Sequence, residues 1–254
     1  MPRILVTNDD GVHSPGIRAL ADALAPLGDV TIVAPIQEAS AIGHALTLRR
    51  PLRIDTIAPG VFAIDGTPTD CVNIAITHVL KEKPDLIVSG INKGWNLGDD
   101  VTYSGTVSGA LEGALLLIPS IAVSAERVRD ETEFGPSAEA AALVAAAVLE
   151  RGMPKFTLLN INVPTGPNKG FRVTVQAKRN HVTVVSERMD PRHRAYYWIE
   201  EGLNEWEPHD RSDYQAVRDG YISITPLQPD LTAHDALRYV EALPLTNEPI
   251  LGRR

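Results

Sequence analysis

The stretch ILVTNDDGVHSPG, residues 4–16, decides how the chain begins to fold. RILVT, at residues 3–7, is a mainly apolar run of the kind found in strands that are buried on both faces of a parallel sheet. Two adjacent acids, Asp9 and Asp10, follow almost at once. Because neighbouring carboxylates repel each other, their place at the tip of a buried strand calls for a physical reason.

The first two thirds of the chain alternate strand and helix signals. Ser14 and Pro15 supply an N-cap and a first-turn proline to a helix that Gly28 ends. The same patterns predict core strands at 30–35, 85–90, 120–124 and 156–164, a short β pair around Pro59-Gly60, and helices at 66–80, 107–117 and 136–151. Alternating strands and helices predict βαβ units with right-handed crossovers, and therefore an α/β fold with a doubly wound, mostly parallel sheet.

The pattern changes after residue 170. FRVTVQA (171–177) and HVTVVSE (181–187) are typical of antiparallel strands, and a helix is predicted around 235–241. Six aromatic residues fall between residues 196 and 221. Aromatic rings stack on nucleobases and also anchor protein interfaces, and an oligomer contact is the preferred interpretation of this arm.

Composition limits the classes of protein to consider. The chain has 254 residues, 44% of them hydrophobic, and a net charge of −8. Such a charge argues against a nucleic-acid polymer as the principal partner. The single cysteine, Cys71, permits no internal disulfide or cysteine cluster for zinc. Without a secretory signal or an apolar run long enough for a membrane, a cytoplasmic protein is expected.

Polar side chains follow three of the predicted parallel strands. Asp9 and Asp10 end the first, Ser40 lies in the loop after the second, and Asn92 follows the third. Ligands bind beyond the carboxyl ends of such strands, so these groups are expected at one edge. Their hard oxygen atoms suit Mg²⁺, Mn²⁺ or Ca²⁺, and a cation would offset the repulsion between the acids. The alternative, that the acids merely form a turn, remains open at this point.

The loop after the third strand is rich in glycine. It matches neither the dinucleotide-binding nor the Walker pattern. Asn96, Ser104, Gly105 and Thr106 are nevertheless suited to an anion, since the last three fall where the next helix begins. An ordinary loop with a serine or threonine cap is the alternative. The spacing of Gly105, Gly109 and Gly113 is more typical of close helix packing.

The motifs TNDDGVHSPGI, GTPTDCV, SGIN followed by NLGDDVTYSGTV, and TPLQPDLT occur in this order along the chain. Together they resemble the stationary-phase survival protein SurE family of metal-dependent nucleotidases and acid phosphatases. The resemblance runs from residue 3 to about residue 234. It implies a Rossmann-like core, residues 1–170, which would be catalytic, and a C-terminal β extension, residues 171–254, with a protruding hairpin and a terminal helix.

The resemblance also implies an activity and a site. The expected reaction releases phosphate from nucleoside 5′- or 3′-monophosphates and requires one Mg²⁺ or Mn²⁺ per subunit. The family's metal ligands match Asp9, Asp10, Ser40 and Asn92. The residues around its phosphate match Asn96, Ser104 and Thr106, with Gly105 between the last two. Dimers or tetramers are expected, formed through an arm at 196–212.

One residue departs from the family pattern. The metal-binding serine is usually followed by glycine, whereas Ser40 is followed by Ala41. Because alanine does not readily adopt a positive φ, a local change in the path of this loop is expected.

The mechanism and the class of protein leave alternatives open. The nucleophile is either a water activated by the cation or a carboxylate, Asp9 or Asp10. A non-catalytic nucleotide-binding or stress-assembly protein is the main alternative to an enzyme. A receiver-like Mg²⁺-binding signalling domain ranks lower, because the third strand ends in Ser-Gly-Ile-Asn instead of a phosphate-accepting aspartate.

Overall fold

A computed structural model describes residues 1–127, 133–180, 183–201 and 205–244. It confirms the predicted α/β class. The main sheet comprises β1 Arg3–Thr7, β2 Asp29–Pro35, β3 Ile54–Ala58, β4 Val61–Ile64, β5 Leu86–Lys93, β6 Ser120–Ala125, β7 Leu158–Val163, β8 Phe171–Val173 and β13 Ile222–Leu227. Four strands lie outside it: β9 Arg179–Asn180, β10 Thr183–Met189, β11 Ala195–Glu201 and β12 Glu205–Trp206. The helices are α1 Pro15–Leu24, α2 Pro68–Ile74, α3 Gly105–Leu115, α4 Gly135–Arg151, α5 Asp213–Arg218 and α6 Leu237–Glu241.

The order of the strands places a switch point at the centre of the sheet. The order is β3-β4-β2-β1-β5-β6-β7-β13-β8, and the strands from β4 through β7 are parallel. From β1 the chain first winds outward through β2 and β4, and then returns to add β5 on the other side of β1. Such a reversal opens a crevice between the carboxyl ends of the two strands, where ligands bind in sheets of this kind.

Helices cover both faces of the sheet. Ile4 and Val6 of β1 point to the face covered by α1 and α4, where they join a core cluster with Ile17. Leu5 points to the opposite face and packs in a cluster with Cys71 of α2. This alternation explains why β1 is almost wholly apolar, since both of its faces are buried. Cys71 is a buried core residue without a disulfide.

Helices α1 and α2 begin with side-chain caps, the first of which the sequence predicts. Ser14 Oγ accepts from the N–H of Ile17 at 3.4 Å and caps α1. Thr67 and Asp70 form a reciprocal capping box on α2. The predicted helix at 66–80 is less regular, because it continues after α2 as a π-helical turn, Ala75–Val79.

Helix α3 lies close to the sheet along its glycine stripe. A Cβ at Gly109 would lie 2.9 Å from Ser89 Oγ, and one at Gly113 would lie 2.2 Å from Ser120 Oγ. The interpretation of these glycines as a packing surface is therefore confirmed. The helix starts at Gly105, slightly earlier than predicted, because Ser104 is its N-cap.

The C-terminal part differs from the expectation in one respect. Of FRVTVQA only Phe171–Val173 forms a strand, β8, and it pairs parallel to β13, so the antiparallel interpretation is wrong for this segment. Parallel pairing is possible because β8 and β13 are joined by a long connection that contains α5, not by a hairpin turn. Strand β13 itself lies antiparallel to β7. HVTVVSE is antiparallel as expected over Thr183–Met189, where β10 pairs with β11, while residues 181–182 lie outside the described part.

The terminal helix is confirmed as α6, Leu237–Glu241, preceded by a 3₁₀ turn at His234–Ala236. None of the helices in the described part of the chain is long and apolar enough to cross a membrane.

The packing of α3 generates a stability prediction. Gly113→Ala places a Cβ 2.7 Å from Ile87 Cδ1 and 2.2 Å from Ser120 Oγ, which is itself fixed by donating to the carbonyl of Ile118 at 2.9 Å. Overpacking of this kind costs about 1–3 kcal/mol, against a helix-propensity gain of up to about 1 kcal/mol. We therefore expect urea denaturation to give a lower free energy of unfolding.

Gly135→Ala is the matched control. Gly135 is the first residue of α4, and an added Cβ has no neighbouring atom within 4 Å. Its free energy of unfolding should stay the same or rise slightly. Equal losses in the two variants would contradict the close approach of α3 to the sheet.

Candidate active site

The acid pair lies at the switch point of the sheet. Asp9 and Asp10 follow β1 directly, and β5, which carries Asn92 near its end, is the neighbouring strand on the far side of the reversal. Asp9 is only 5% exposed, whereas Asp10 is partly buried. The crevice expected for a ligand therefore has two carboxylates at its floor.

Asp9 is held in place from two sides. Its backbone carbonyl accepts from the N–H of Ala39 at 2.8 Å, and Oδ1 accepts a short hydrogen bond from the Thr106 hydroxyl. The first turn of α3 lies so close that a Cβ at Gly105 would be 2.7 Å from the Cβ of Asp9. Only glycine at residue 105 allows the helix to approach the acid in this way.

Negative charge accumulates at this point. Burial raises the pKa of Asp9, and the charge of Glu38 adds to the shift, while the hydrogen bonds from Thr106 oppose it. Burial and the neighbouring Asp9 raise the pKa of Asp10 to about 6, and the Lys93 N–H, 3.3 Å from Oδ2, opposes that shift. The hydrogen bonds of the protein therefore do not fully offset the cost of ionising these two carboxylates.

Ser40 belongs to the same cluster through Glu38. The Ser40 hydroxyl donates to Glu38 Oε1 at 2.6 Å. Because its proton points at Glu38, the lone pairs of Oγ are left to accept from another donor or to bind a cation. Glu38 was not among the predicted site residues.

Asn92 is brought to the edge by an irregularity in β5. The pairing of β5 with β6 shifts register between Ser89 and Asn92. Gly90 in this segment has a φ of +142°, and a Cβ there would lie 2.4 Å from the carbonyl oxygen of Val123. The Asn92 amide nitrogen donates to the carbonyl of Gly94 at 2.8 Å, so the donor half of that side chain is used within the loop.

The N-terminus of α3 points at the acid pair. Ser104 is the N-cap, and its Oγ accepts from the N–H of Val107 at 3.1 Å. Thr106 is fully buried and bonded to Asp9, as described above. Ser104, Gly105 and Thr106 are thus brought together with the acids, at the end of a helix where anions are stabilised.

Asn96 lies in a different environment. Its side-chain amide donates to Ser124 Oγ at 2.8 Å, and its backbone N–H donates to Asn162 Oδ1 at 2.8 Å. Its carbonyl accepts from the amides of Asn160 and Asn162. In the described part of the chain, Asn96 is bonded to β6 and β7, and no hydrogen bond joins it to the acid pair.

The GTPTD motif fixes the loop that carries Ser40. Asp70 accepts from the N–H of Thr47 at 2.9 Å, in addition to closing the capping box with Thr67. The Thr67 hydroxyl donates to the carbonyl of Ala45 at 2.7 Å. The first turn of α2 therefore anchors the loop as well as starting the helix.

The same loop also contacts the region around α3. The N–H of Gly43 donates to the carbonyl of Tyr103 at 3.0 Å, and His44 Nε2 lies 2.7 Å from Glu112 Oε2. Asn73 donates to the other oxygen of Glu112 at 2.7 Å. Burial alone would raise the pKa of Glu112, but the hydrogen bonds from His44 and Asn73 lower it below its ordinary value.

Ala41 takes a backbone conformation that alanine rarely adopts. Its φ is +54°, in the left-handed region. The turn at Ala41 therefore has a backbone conformation that favours glycine, and alanine is strained in it.

Sequence reasoning overlooked several polar residues around the site, and some left a signal. Asn160 and Asn162 alternate with apolar residues in the buried strand LLNINV, which is unusual unless both amides are bonded. Glu38 gave no comparable signal, since an exposed loop glutamate is common.

Comparisons with known proteins give the same family. A family model described as survival protein SurE matches residues 4–183. A relative named 5′-nucleotidase SurE, from Syntrophotalea carbinolica, is 54% identical over 230 residues, which is 90% of this chain and 92% of that protein. Another of the same name, from Geobacter sulfurreducens, is 51% identical over 248 residues, covering 96% and 94% of the two chains.

A solved structure agrees in fold as well. The crystal structure of the SurE protein from Aquifex aeolicus superposes with a TM-score of 0.84 at 43% identity, and the match covers 94% of this chain and 98% of that one. An acid pair at the switch point, faced by a helix N-terminus, thus occurs in a chain that belongs to the SurE family.

Proposed function

We propose that the protein is a divalent-metal-dependent phosphomonoesterase that hydrolyses nucleoside 5′-monophosphates, and 3′-monophosphates as well, to nucleoside and phosphate. The 5′-nucleotidase names of relatives at about half identity over more than 90% of their length support this activity. The observation that carries it is the contact of Asp9 with the first turn of α3. The proposal is supported by this contact because it puts a carboxylate suited to a cation beside a helix N-terminus suited to an anion.

The donor set fits a hard divalent cation. Asp9 and Asp10 supply carboxylates whose pKa values are raised by burial, Ser40 supplies a hydroxyl whose proton is directed elsewhere, and Asn92 supplies an amide. Oxygen ligands of this kind suit Mg²⁺ and Mn²⁺. When bound, one such ion per subunit would supply positive charge for the phosphate oxygens.

The residues of α3 would hold the phosphate. Its N-terminus carries partial positive charge, and Ser104, Gly105 and Thr106 lie in its first turn, where the backbone N–H groups favour an anion. We assign Asn96 to the same phosphate site, as a residue whose backbone is fixed by β7. The work of this half of the site is to position the phosphate and to stabilise negative charge as it develops.

The other classes of function are not favoured. A non-catalytic nucleotide-binding protein or a receiver-like domain does not account for close relatives that carry an enzyme name over nearly the whole chain. A cytoplasmic location is also proposed, and the buried free thiol of Cys71 suits a reducing compartment.

An activity assay tests the proposal directly. Phosphate release should be measured on a panel of nucleoside 5′- and 3′-monophosphates, with Mn²⁺, with Mg²⁺, and with EDTA. We expect release that EDTA abolishes and that added metal restores, because the carboxylates require a cation before phosphate can approach them. No metal-dependent release at micromolar enzyme would leave the non-catalytic alternative standing.

Asp9→Asn tests whether Asp9 is needed for activity and not only for folding. Loss of the buried charge should lower kcat/KM by about 10²-fold or more, the scale seen when a key electrostatic group is removed. The exposed Asp22 of α1 gives the matched control Asp22→Asn, which should keep normal activity. Circular dichroism should show both variants folded. Near-normal turnover of Asp9→Asn with added Mn²⁺ would contradict the assignment of Asp9.

Self-association through the hairpin of β10 and β11 is a further part of the proposal. Among the described residues the two strands pair only with each other, and they form a separate two-stranded sheet. Tyr197, Trp198 and Ile199 of β11 are exposed, Ile199 to 80%. A two-stranded hairpin is marginally stable by itself in water, so a second copy that covers these side chains would stabilise it. Residues 202–204 of the predicted arm lie outside the described residues.

Substitution on one face of the hairpin tests its role as an interface. Tyr197 and Ile199 alternate along β11 and lie on the same face. Tyr197→Ser with Ile199→Ser should lower the molar mass measured by light scattering after size-exclusion chromatography, because the buried apolar area is lost. Leu143→Ser, at an exposed leucine of α4, is the control and should leave the mass unchanged. An unchanged mass in the double variant would refute this interface.

A further inference from the structure

A buried carboxylate in the C-terminal part of the chain binds the loop between Asn96 and Ser104. Asp213, the first residue of α5, is 0% exposed. Its Oδ2 accepts from the backbone N–H of Gly98 at 3.0 Å, while Oδ1 accepts from the N–H groups of Ala177 and Tyr214 at 2.9 and 2.8 Å. One side chain of the C-terminal part thus joins three segments of the chain.

Gly98 is enclosed on its other sides as well. Its φ is +50°, and a Cβ there would lie 2.6 Å from the carbonyl oxygen of Ala177 and 2.9 Å from the Trp206 ring. Its own carbonyl accepts from Gln176 Nε2 at 3.1 Å. Trp206 is fixed in turn by stacking on Tyr214, with ring centroids 4.4 Å apart. Both polar groups of the Gly98 backbone are therefore used by residues that follow β7.

Backbone hydrogen bonds connect Gly98 to the start of α3. Gly98–Thr102 is a 3₁₀ turn, in which the N–H of Asp100 donates to Leu97 at 3.0 Å. The carbonyl of Asp100 accepts from the N–H of Ser104 at 3.1 Å. Ser104 is the N-cap of α3. A shift of Gly98 therefore moves the cap and the first turn of the helix that faces Asp9.

A carboxylate at this place has a cost that packing alone would not require. Burial raises the pKa of Asp213, and the three N–H groups oppose that shift by stabilising the charged form. An apolar residue could fill the same space without burying a charge, but it could not bind three N–H groups at once. The charge is thus used to fix the backbone of the loop.

We propose that Asp213 is a positioning residue, which acts through Gly98 to hold Ser104, Gly105 and Thr106 in the geometry that binds the phosphate. The inference rests on the proposed phosphomonoesterase function and adds to it a residue outside the crevice. It assigns to the C-terminal part a role in the affinity for phosphate that is independent of the metal ligands.

Asp213→Asn is the most selective variant, because it removes the acceptor for the Gly98 N–H and keeps one for Ala177 and Tyr214. An amide whose oxygen faces Ala177 and Tyr214 keeps those two bonds, while its NH₂ group meets the N–H of Gly98, which then has no acceptor. We expect KM and the inhibition constant of inorganic phosphate to rise roughly tenfold, since small displacements of positioning groups have large kinetic effects. The Mn²⁺ concentration for half-maximal activity should stay the same.

Two further variants distinguish a positioning role of Asp213 from a general loss of stability. Ser212→Ala removes the cap of α5, where Ser212 Oγ accepts from the N–H of Gln215 at 3.1 Å, without touching Gly98. It should lower the melting temperature but change neither constant. Gln176→Ala removes the exposed donor to the Gly98 carbonyl and should shift the phosphate constant in the same direction as Asp213→Asn, by less. If Asp213→Asn does not fold, an unchanged phosphate constant in Gln176→Ala would overturn the proposal, because Asp213 is proposed to act through Gly98.

Amide hydrogen exchange of peptides covering residues 96–104 gives a readout that does not need activity. Exchange should be faster in Asp213→Asn than in the wild type and in Ser212→Ala. Unchanged exchange, or equal losses of phosphate and metal affinity, would overturn the positioning role. Absence of phosphate release from the wild type would instead refute the proposed function, while the exchange result would still decide whether Asp213 holds the loop.

Discussion

The contact between Asp9 and the first turn of α3 is the constraint on which the site depends. The Thr106 hydroxyl donates to the acid, and Gly105 leaves no room for a side chain between them. This approach is possible because Gly109 and Gly113 let the rest of the helix lie directly on β5 and β6. A stripe of small residues along one helix thus sets the distance between a group suited to cations and a helix end suited to anions.

Buried polar groups supply the rigidity that this arrangement needs. Asn160 and Asn162 occupy a strand whose other residues are apolar, and both donate to the carbonyl of Asn96. Asp213 holds Gly98 on the other side of the same loop. A loop of glycines is flexible when it is unsupported, so its backbone groups are fixed by side chains from elements that are themselves well packed. The site is therefore built by the whole sheet, including β7 and the residues that follow it.

Much of the fold could be predicted because its signals are local. The apolar run of β1, the cap at Ser14 and the alternation of strands and helices each depend on neighbouring residues. The entry of β13 into the main sheet could not be predicted in this way, because its pairing of Pro226 with Leu159 joins distant segments. The same holds for the contact of Gly98 with Asp213, which are 115 residues apart. The acid pair was visible because two adjacent carboxylates at a strand end need a partner, whereas Glu38 resembled any loop residue.

The fold holds unfavourable negative charge together at the switch point. Burial and the charge of Glu38 raise the pKa of both Asp9 and Asp10, and Asp9 further raises that of Asp10. The fold keeps the acids there through backbone bonds such as the one from the N–H of Ala39 to the carbonyl of Asp9. An ion that binds this cluster in the folded state alone stabilises that state in proportion to the logarithm of its concentration. Protons compete for the same oxygens, because a raised pKa and a strong attraction for a cation have one cause. In the proposed function, the repulsion that makes the acid pair costly is also the source of its affinity for a cation, and the rigid sheet prevents the acids from moving apart instead.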